Sequence, residues 1–248
     1  MTAVSSVTVI GAGLMGSAIG QVFLQHGYEV TFRDVDESVL ADAHSRVSDG
    51  DYGLSPAVER GIISEDEKAA ALDRMSTTTD LEAAVEGSDF VIEAVPEDLA
   101  LKGDVFRELD EVTDEVPLGT NTGGFPIASI ANAVEDQSRV IGTHFFNPAQ
   151  VMPLVEIVRS ERTDPELVDL AVELFEDVDK TTIVVEDAND YDEFSYGFVA
   201  NRCHVAMREE ARRIVEEGIA TKEQVDMAMR EGYNLPVGPF EIEEGLPE

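Results

Sequence analysis

The 248-residue sequence contains no tryptophan and one cysteine, and only 17 lysines and arginines stand against 52 aspartates and glutamates. The single cysteine, Cys203, excludes an intrachain disulfide and fits a reducing cytoplasm. The formal charge of -35 disfavours nucleic acid and anionic membranes as partners, because both would be repelled. No hydrophobic run reaches transmembrane length, and the first residues lack a signal-peptide pattern. No metal centre is expected. The acidic residues are spread along the chain and not gathered in a tail, so they read as a solvated surface. An acidic surface on this scale, with lysine scarce, suggests a halophilic protein kept soluble at high salt. A chain of this length buries about 70–75% of its unfolded surface, enough for a full core in one large domain or two small ones.

What is present is organised around Val7-Thr8-Val9-Ile10-Gly11-Ala12-Gly13-Leu14-Met15-Gly16. A short β-branched run leads into Gly-x-Gly-x-x-Gly, and a helical pattern follows. Gly11 allows the tight strand-to-helix turn. Gly13 lets a pyrophosphate approach the backbone, and Gly16 lets helix and strand pack closely. Gly27 closes the helix, and a second strand, Glu29 to Phe32, leads into Asp34. An acidic residue there accepts the ribose hydroxyls of NAD. Asp34 therefore predicts NAD over NADP, although Arg33 beside it leaves room for a 2′-phosphate.

Strand and helix patterns alternate up to about residue 186. They predict helices over 37–47 and 64–72, a loop over 49–61, and strands over 75–79, 90–95, 117–120, 139–143 and 181–185. Ser64 with Glu67, and Thr221 with Gln224, fit capping boxes. Glu186 to Tyr196 is acidic and reads as a linker, and the stretch 197–217 beyond it reads as a long helix. The fold class is α/β: a doubly wound, mostly parallel Rossmann-type sheet over residues 1–187, then a small all-α domain over 188–248. Ligands bind beyond the carboxyl ends of the strands in such sheets. Gly11, Asp34, Pro96, Asn121 and His144 all follow predicted strands and should share one rim.

His144 sits in Thr143-His144-Phe145-Phe146-Asn147-Pro148 and has the chemistry of a general base. Its place on the rim sets it apart from His26, His44 and His204, which lie in helical stretches. Glu156 interrupts the apolar run Leu154-Val155-Glu156-Ile157-Val158. A carboxylate there needs a partner, because burying it bare is costly. Two readings stand equal: a partner of His144 that orients the imidazole, or a residue on the solvent face of an edge strand. Asn201 is undecided between a contact with ligand and an ordinary helix position.

These pieces together resemble the L-3-hydroxyacyl-CoA dehydrogenase family over essentially the whole chain. The resemblance is carried by the glycine stretch, Val91-Ile92-Glu93-Ala94-Val95-Pro96-Glu97, Asn121-Thr122 and His144-Phe145-Phe146-Asn147-Pro148 with Glu156. Gly197-Phe198 with Asn201-Arg202, and Pro236-Val237-Gly238-Pro239-Phe240, extend it. It implies that His144 is the base, that Glu156 orients it, and that Asn201 contacts the carbonyl and thioester end of an acyl-CoA substrate. It places Gly11, Gly13, Leu14, Met15, Gly16 and Asp34 on the dinucleotide, with Glu97, Lys102, Asn121 and Asn147 toward its nicotinamide end. It also implies a homodimer, altered here by a C-terminal domain shorter than the family's. Where the family has Asn-Thr-Ser-Ser this chain has Asn121-Thr122-Gly123-Gly124, and Arg46 is the one base in the helix that often contacts CoA. These departures keep two alternatives in view: a dehydrogenase of a free hydroxy acid or sugar acid, and a dinucleotide-binding protein without turnover.

Overall fold

β1 (Ser6–Ile10) is β-branched and apolar, and Val7, Val9 and Ile10 are fully buried, as in a strand covered on both faces. The structure, a computed structural model, describes residues 4–187 and 197–243. The chain divides into two compact units, Met1–Ser195 and Tyr196–Glu248.

In the first unit, α1 (Leu14–Gln25) packs along β1 with Gly16 through Leu24 buried, and Gly27 closes it at a φ of +93°. β2 (Glu29–Arg33) and α2 (Glu37–Asp49) follow, the helix capped by the Asp36 carboxylate on Ser38 N–H. The stretch predicted as loop over 49–61 instead contains α3 (Leu54–Glu59). Leu54 and Ala57, one turn apart, are buried, and Pro56 stands in the first turn, where its missing N–H costs nothing. α4 (Glu65–Asp73) carries the predicted Ser64–Glu67 capping box. β3 (Met75–Thr78), α5 (Leu81–Val85), β4 (Phe90–Glu93), α6 (Leu99–Val112), β5 (Leu118–Thr120) and α7 (Ile127–Ala131) come next. β6 (Val140–Phe145), β7 (Leu154–Arg159), α8 (Pro165–Asp177) and β8 (Thr181–Glu186) complete the unit.

The strands form one sheet in the order β3-β2-β1-β4-β5-β6-β7-β8. Every neighbouring pair is parallel except β6 and β7. The strand order reverses between β1 and β4, and such a switch point opens a crevice above the strand ends. Phe23, Phe90 and Phe145 pack around Phe175, the last two edge-on with ring centroids 5.3 Å apart. This cluster carries β6 through Phe145, past the predicted end at Thr143. His144 is therefore inside the strand and not beyond it. Because Phe145 faces the aromatic cluster, His144 projects from the opposite face of the sheet.

In the second unit, α9 (Ala200–Glu216), α10 (Lys222–Tyr233) and α11 (Pro239–Glu243) enclose a small core of Ala211, Val225 and Phe240. The predicted helix over 197–217 starts at Ala200, and the Thr221–Gln224 capping box is formed. A Cβ on Gly238 would lie 2.5 Å from Asp226 Cα, so only glycine lets α11 approach α10 this closely. The predicted linker over 186–196 starts with Glu186, the last residue of β8; 188–196 fall outside the described residues. Among the described residues no helix is long and apolar enough to cross a membrane.

Candidate active site

The three glycines of the turn sit in three different settings. Gly11 has a φ of +92°, and a Cβ there would lie 2.8 Å from Ala94 O. A Cβ on Gly16 would lie 1.8 Å from Gly11 O, so α1 rests directly on the turn. Gly13 meets nothing within 4 Å and faces open space. It also begins α1 without a side-chain cap, which leaves the positive end of the helix free for an anion.

Gly11, Gly13, Leu14, Met15, Asp34, Glu97 and Asn121 line a single cleft of about 710 Å³ at the switch point. Pro96, Val95 and Leu101 form its wall opposite Asp34. Asp34 Oδ2 accepts the Ala12 N–H at 2.9 Å, which ties the carboxylate to the glycine turn. The open backbone at Gly13, the uncapped helix end and a carboxylate at the rim suit a dinucleotide with its pyrophosphate on the turn.

Lys102 does not line this cleft. It lies fully buried beneath the wall, with Nζ 2.8 Å from Glu93 Oε1 and 3.2 Å from Glu97 Oε2. Glu93 also accepts from Thr120 Oγ1 at 2.6 Å and Val95 N–H at 2.7 Å. Burial pushes the Glu93 carboxyl above its ordinary range, against the pull of Lys102, Thr120 and Val95. Glu97 Oε1 in turn accepts from Thr122 Oγ1 at 2.5 Å and Gly123 N–H at 2.9 Å. A polar chain thus runs from the end of β4 to the loop after β5. Asn121 continues it to β6, because its Oδ1 accepts the Phe145 N–H at 2.8 Å. Glu93 was missed in the sequence as a site residue. Its signal was of the kind that marked Glu156, a carboxylate in an apolar strand.

His144 and Glu156 are direct partners across β6 and β7, with Nδ1 2.8 Å from Oε2. Glu156 is wholly buried, and its strand is interior, flanked by β6 and β8. That removes the edge-strand reading. A carboxylate accepting from Nδ1–H leaves the lone pair on Nε2. Nε2 faces Gly123, where an added Cβ would stand 3.7 Å away. The His144 ring also leans on Phe146, centroids 4.6 Å apart.

Asn147 does not join the first cleft. It lines a second one of about 580 Å³ with Leu14, Ser17, Gln21, Arg46 and Pro148. Arg46 is already engaged there, its Nη1 donating to Ala12 O at 3.1 Å and its Nη2 lying 3.7 Å from Asp42. Asn201 lies in the other unit, half-buried in the first turn of α9. Among the described residues no group of His, Cys, Asp and Glu has the arrangement of a metal site.

The family model described as "3-hydroxyacyl-CoA dehydrogenase, NAD binding domain" matches residues 6–188, and the model of that family's C-terminal domain matches 197–244. A 3-hydroxybutyryl-CoA dehydrogenase of Mycobacterium tuberculosis is 38% identical over 97% of this chain and 81% of its own length. The mitochondrial hydroxyacyl-coenzyme A dehydrogenase of Homo sapiens is 35% identical over 96% of this chain and 75% of its own. The crystal structure of an (S)-3-hydroxybutyryl-CoA dehydrogenase from Ralstonia eutropha superposes with a TM-score of 0.90 at 31% identity, covering 97% of this chain and 81% of that one. The cofactor is NAD, as the description of the matched domain states. By sequence, fold and site together, this chain belongs to the 3-hydroxyacyl-CoA dehydrogenase family.

Proposed function

We propose that this chain interconverts L-3-hydroxyacyl-CoA and 3-oxoacyl-CoA with NAD, using His144 as the general base. The observation that carries the reading is the buried His144–Glu156 pair, in which the carboxylate takes Nδ1 and Nε2 is the ring nitrogen on the Gly123 side. In the oxidative direction Nε2 takes the proton of the C3 hydroxyl. Glu156 holds the ring in the required tautomer and stabilises the imidazolium that forms. Bound NAD supplies the acceptor for the C3 hydride. The N–H groups at Gly13, Leu14 and Met15 hold the pyrophosphate, with Gly11 and Gly16 shaping the turn, and Asp34 accepts from the adenosine ribose. Glu97, Lys102, Asn121 and Asn147 act toward the nicotinamide end. Glu93 is a positioning residue, because it fixes Lys102 and, through it, Glu97. Asn201 contacts the thioester carbonyl. The cofactor domain spans 1–187 and the helical domain 188–248.

A second reading, a dehydrogenase of a free hydroxy acid, is favoured by one observation. Arg46, the cation lining the second cleft, is already bonded to Ala12 O and paired with Asp42, so it has little to offer the phosphates of CoA. NADH oxidation with acetoacetyl-CoA beside free acetoacetate separates the two. The thioester is expected to be the better substrate. Higher kcat/KM for the free acid would replace the first reading with the second, and no turnover of either would leave a binding protein.

A further inference from the structure

Lys180 stands just before β8 and is buried, yet no carboxylate lies within ion-pair reach of it among the described residues. Buried charges are normally met by opposite ones. This chain, with 52 acidic residues against 17 basic, has many to offer. Lys180 Nζ instead donates to two backbone carbonyls, Ala149 O at 2.6 Å and Met152 O at 3.1 Å. Burial pulls the ammonium below the ordinary lysine range, and Asp179 beside it pulls the other way. A methionine would fill the same space without that cost. What lysine adds is a grip on one turn, residues 149–152, in the connection between β6 and β7.

That turn closes on Pro148 O, which accepts the Val151 and Met152 N–H groups at 3.0 and 2.9 Å. Ala149 is fully buried, so its carbonyl has to find a donor inside the protein. From the other side, Gln150 Nε2 donates to Gln21 Oε1 of α1 at 3.0 Å. The turn is thus held from the start of β8 and from α1. Pro148 and Gln150, with Asn147 before them, form one wall of the second cleft. Asn147 is exposed, and its side chain makes no hydrogen bond within the described residues, so its direction is set by the backbone that follows it. We infer that Lys180 is a positioning residue, whose ammonium fixes the turn through Ala149 O and Met152 O and so presents Asn147 to the cofactor. The inference rests on the reading of Asn147 as a residue that acts toward the nicotinamide end.

A double-mutant cycle in the full chain tests this, read as the Kd of NADH by cofactor fluorescence well below the melting temperature of each variant. Asn147→Ala should weaken NADH by about 5- to 10-fold, the loss of one hydrogen bond. Lys180→Met should weaken it by a similar factor. The double variant should be no weaker than either single one, because residues that act as a unit are not additive. Lys180→Gln, whose amide keeps a donor toward the carbonyls, should lie between wild type and Lys180→Met. It also closes the same cycle if the methionine variant does not fold. Factors that multiply, to about 25-fold or more in the double variant, would make Lys180 a support of the fold alone and overturn the inference. Wild-type affinity in a folded Lys180→Met would overturn it as well. Wild-type affinity in Asn147→Ala would bring down the reading of Asn147 first, and the role of Lys180 with it.

Discussion

Gly123 stands against His144: a Cβ built on it would lie 3.7 Å from Nε2, its one contact within 4 Å among the described residues beyond its chain neighbours. The backbone there is not left-handed, so a side chain fits without strain. Proton removal by Nε2 leaves negative charge developing on the C3 oxygen. A hydroxyl aimed at that oxygen would stabilise the transition state more than the ground state. Gly123→Ser is therefore expected to raise kcat for acetoacetyl-CoA reduction by about 10-fold or more, since one such donor is typically worth 10²–10³-fold. NADH affinity and melting temperature should stay as they are. A folded variant with no gain would show that this loop serves another substrate.

His144→Asn should bind NADH as the wild type does and lose about 10²–10⁴-fold in kcat. Glu156→Gln should lower kcat without weakening NADH, because an amide neither fixes the tautomer nor stabilises the imidazolium. Stopped-flow turnover with a parallel cofactor titration makes the distinction. Unchanged kcat in His144→Asn would reduce the pair to a structural contact.

The buried Lys102 is shared between Glu93 and Glu97, its Nζ 2.8 and 3.2 Å from their oxygens. Removing the cation leaves a fully buried carboxylate unpaired, so Lys102→Met should cost about 3–5 kcal/mol in urea unfolding. Adding Glu93→Gln should return part of that loss. A double variant as unstable as the single one would show that Lys102 acts through its stem and not its charge.

The charge of -35 opposes both compaction and the approach of anionic ligands. At molar salt the Debye length falls to about 3 Å and both penalties fade. Activity and melting temperature should therefore rise together between about 0.1 M and 2 M KCl. A flat or falling response in both would remove the expectation of a halophilic protein.

The glycine turn was legible because each glycine answers a local backbone demand, and the long strands because their apolar runs are unmistakable. Glu156 was legible as a problem, a charge in an apolar run. Its solution was not, because only the antiparallel register of β6 and β7 sets it opposite His144. The short helices α5 and α7, five residues each, escaped notice because a single turn and a half shows no periodicity. Glu93 escaped because its three donors come from three separate segments, and no spacing in the chain announces them.

The reversed direction of β7 makes the sheet itself a measuring rule for the chemistry. Facing residues of an antiparallel pair are set by register, and a slip of one residue turns every side chain to the other face. Glu156 is held against such a slip on both sides, by β6 at His144 and by β8 at Ile183. Length changes in the connection between Phe146 and Pro153 leave that register untouched, but they would move Asn147 and the Ala149 carbonyl that Lys180 holds. A single residue inserted within β7 before Glu156 would instead send the carboxylate to the far face and disarm His144 while leaving every atom of the histidine in place.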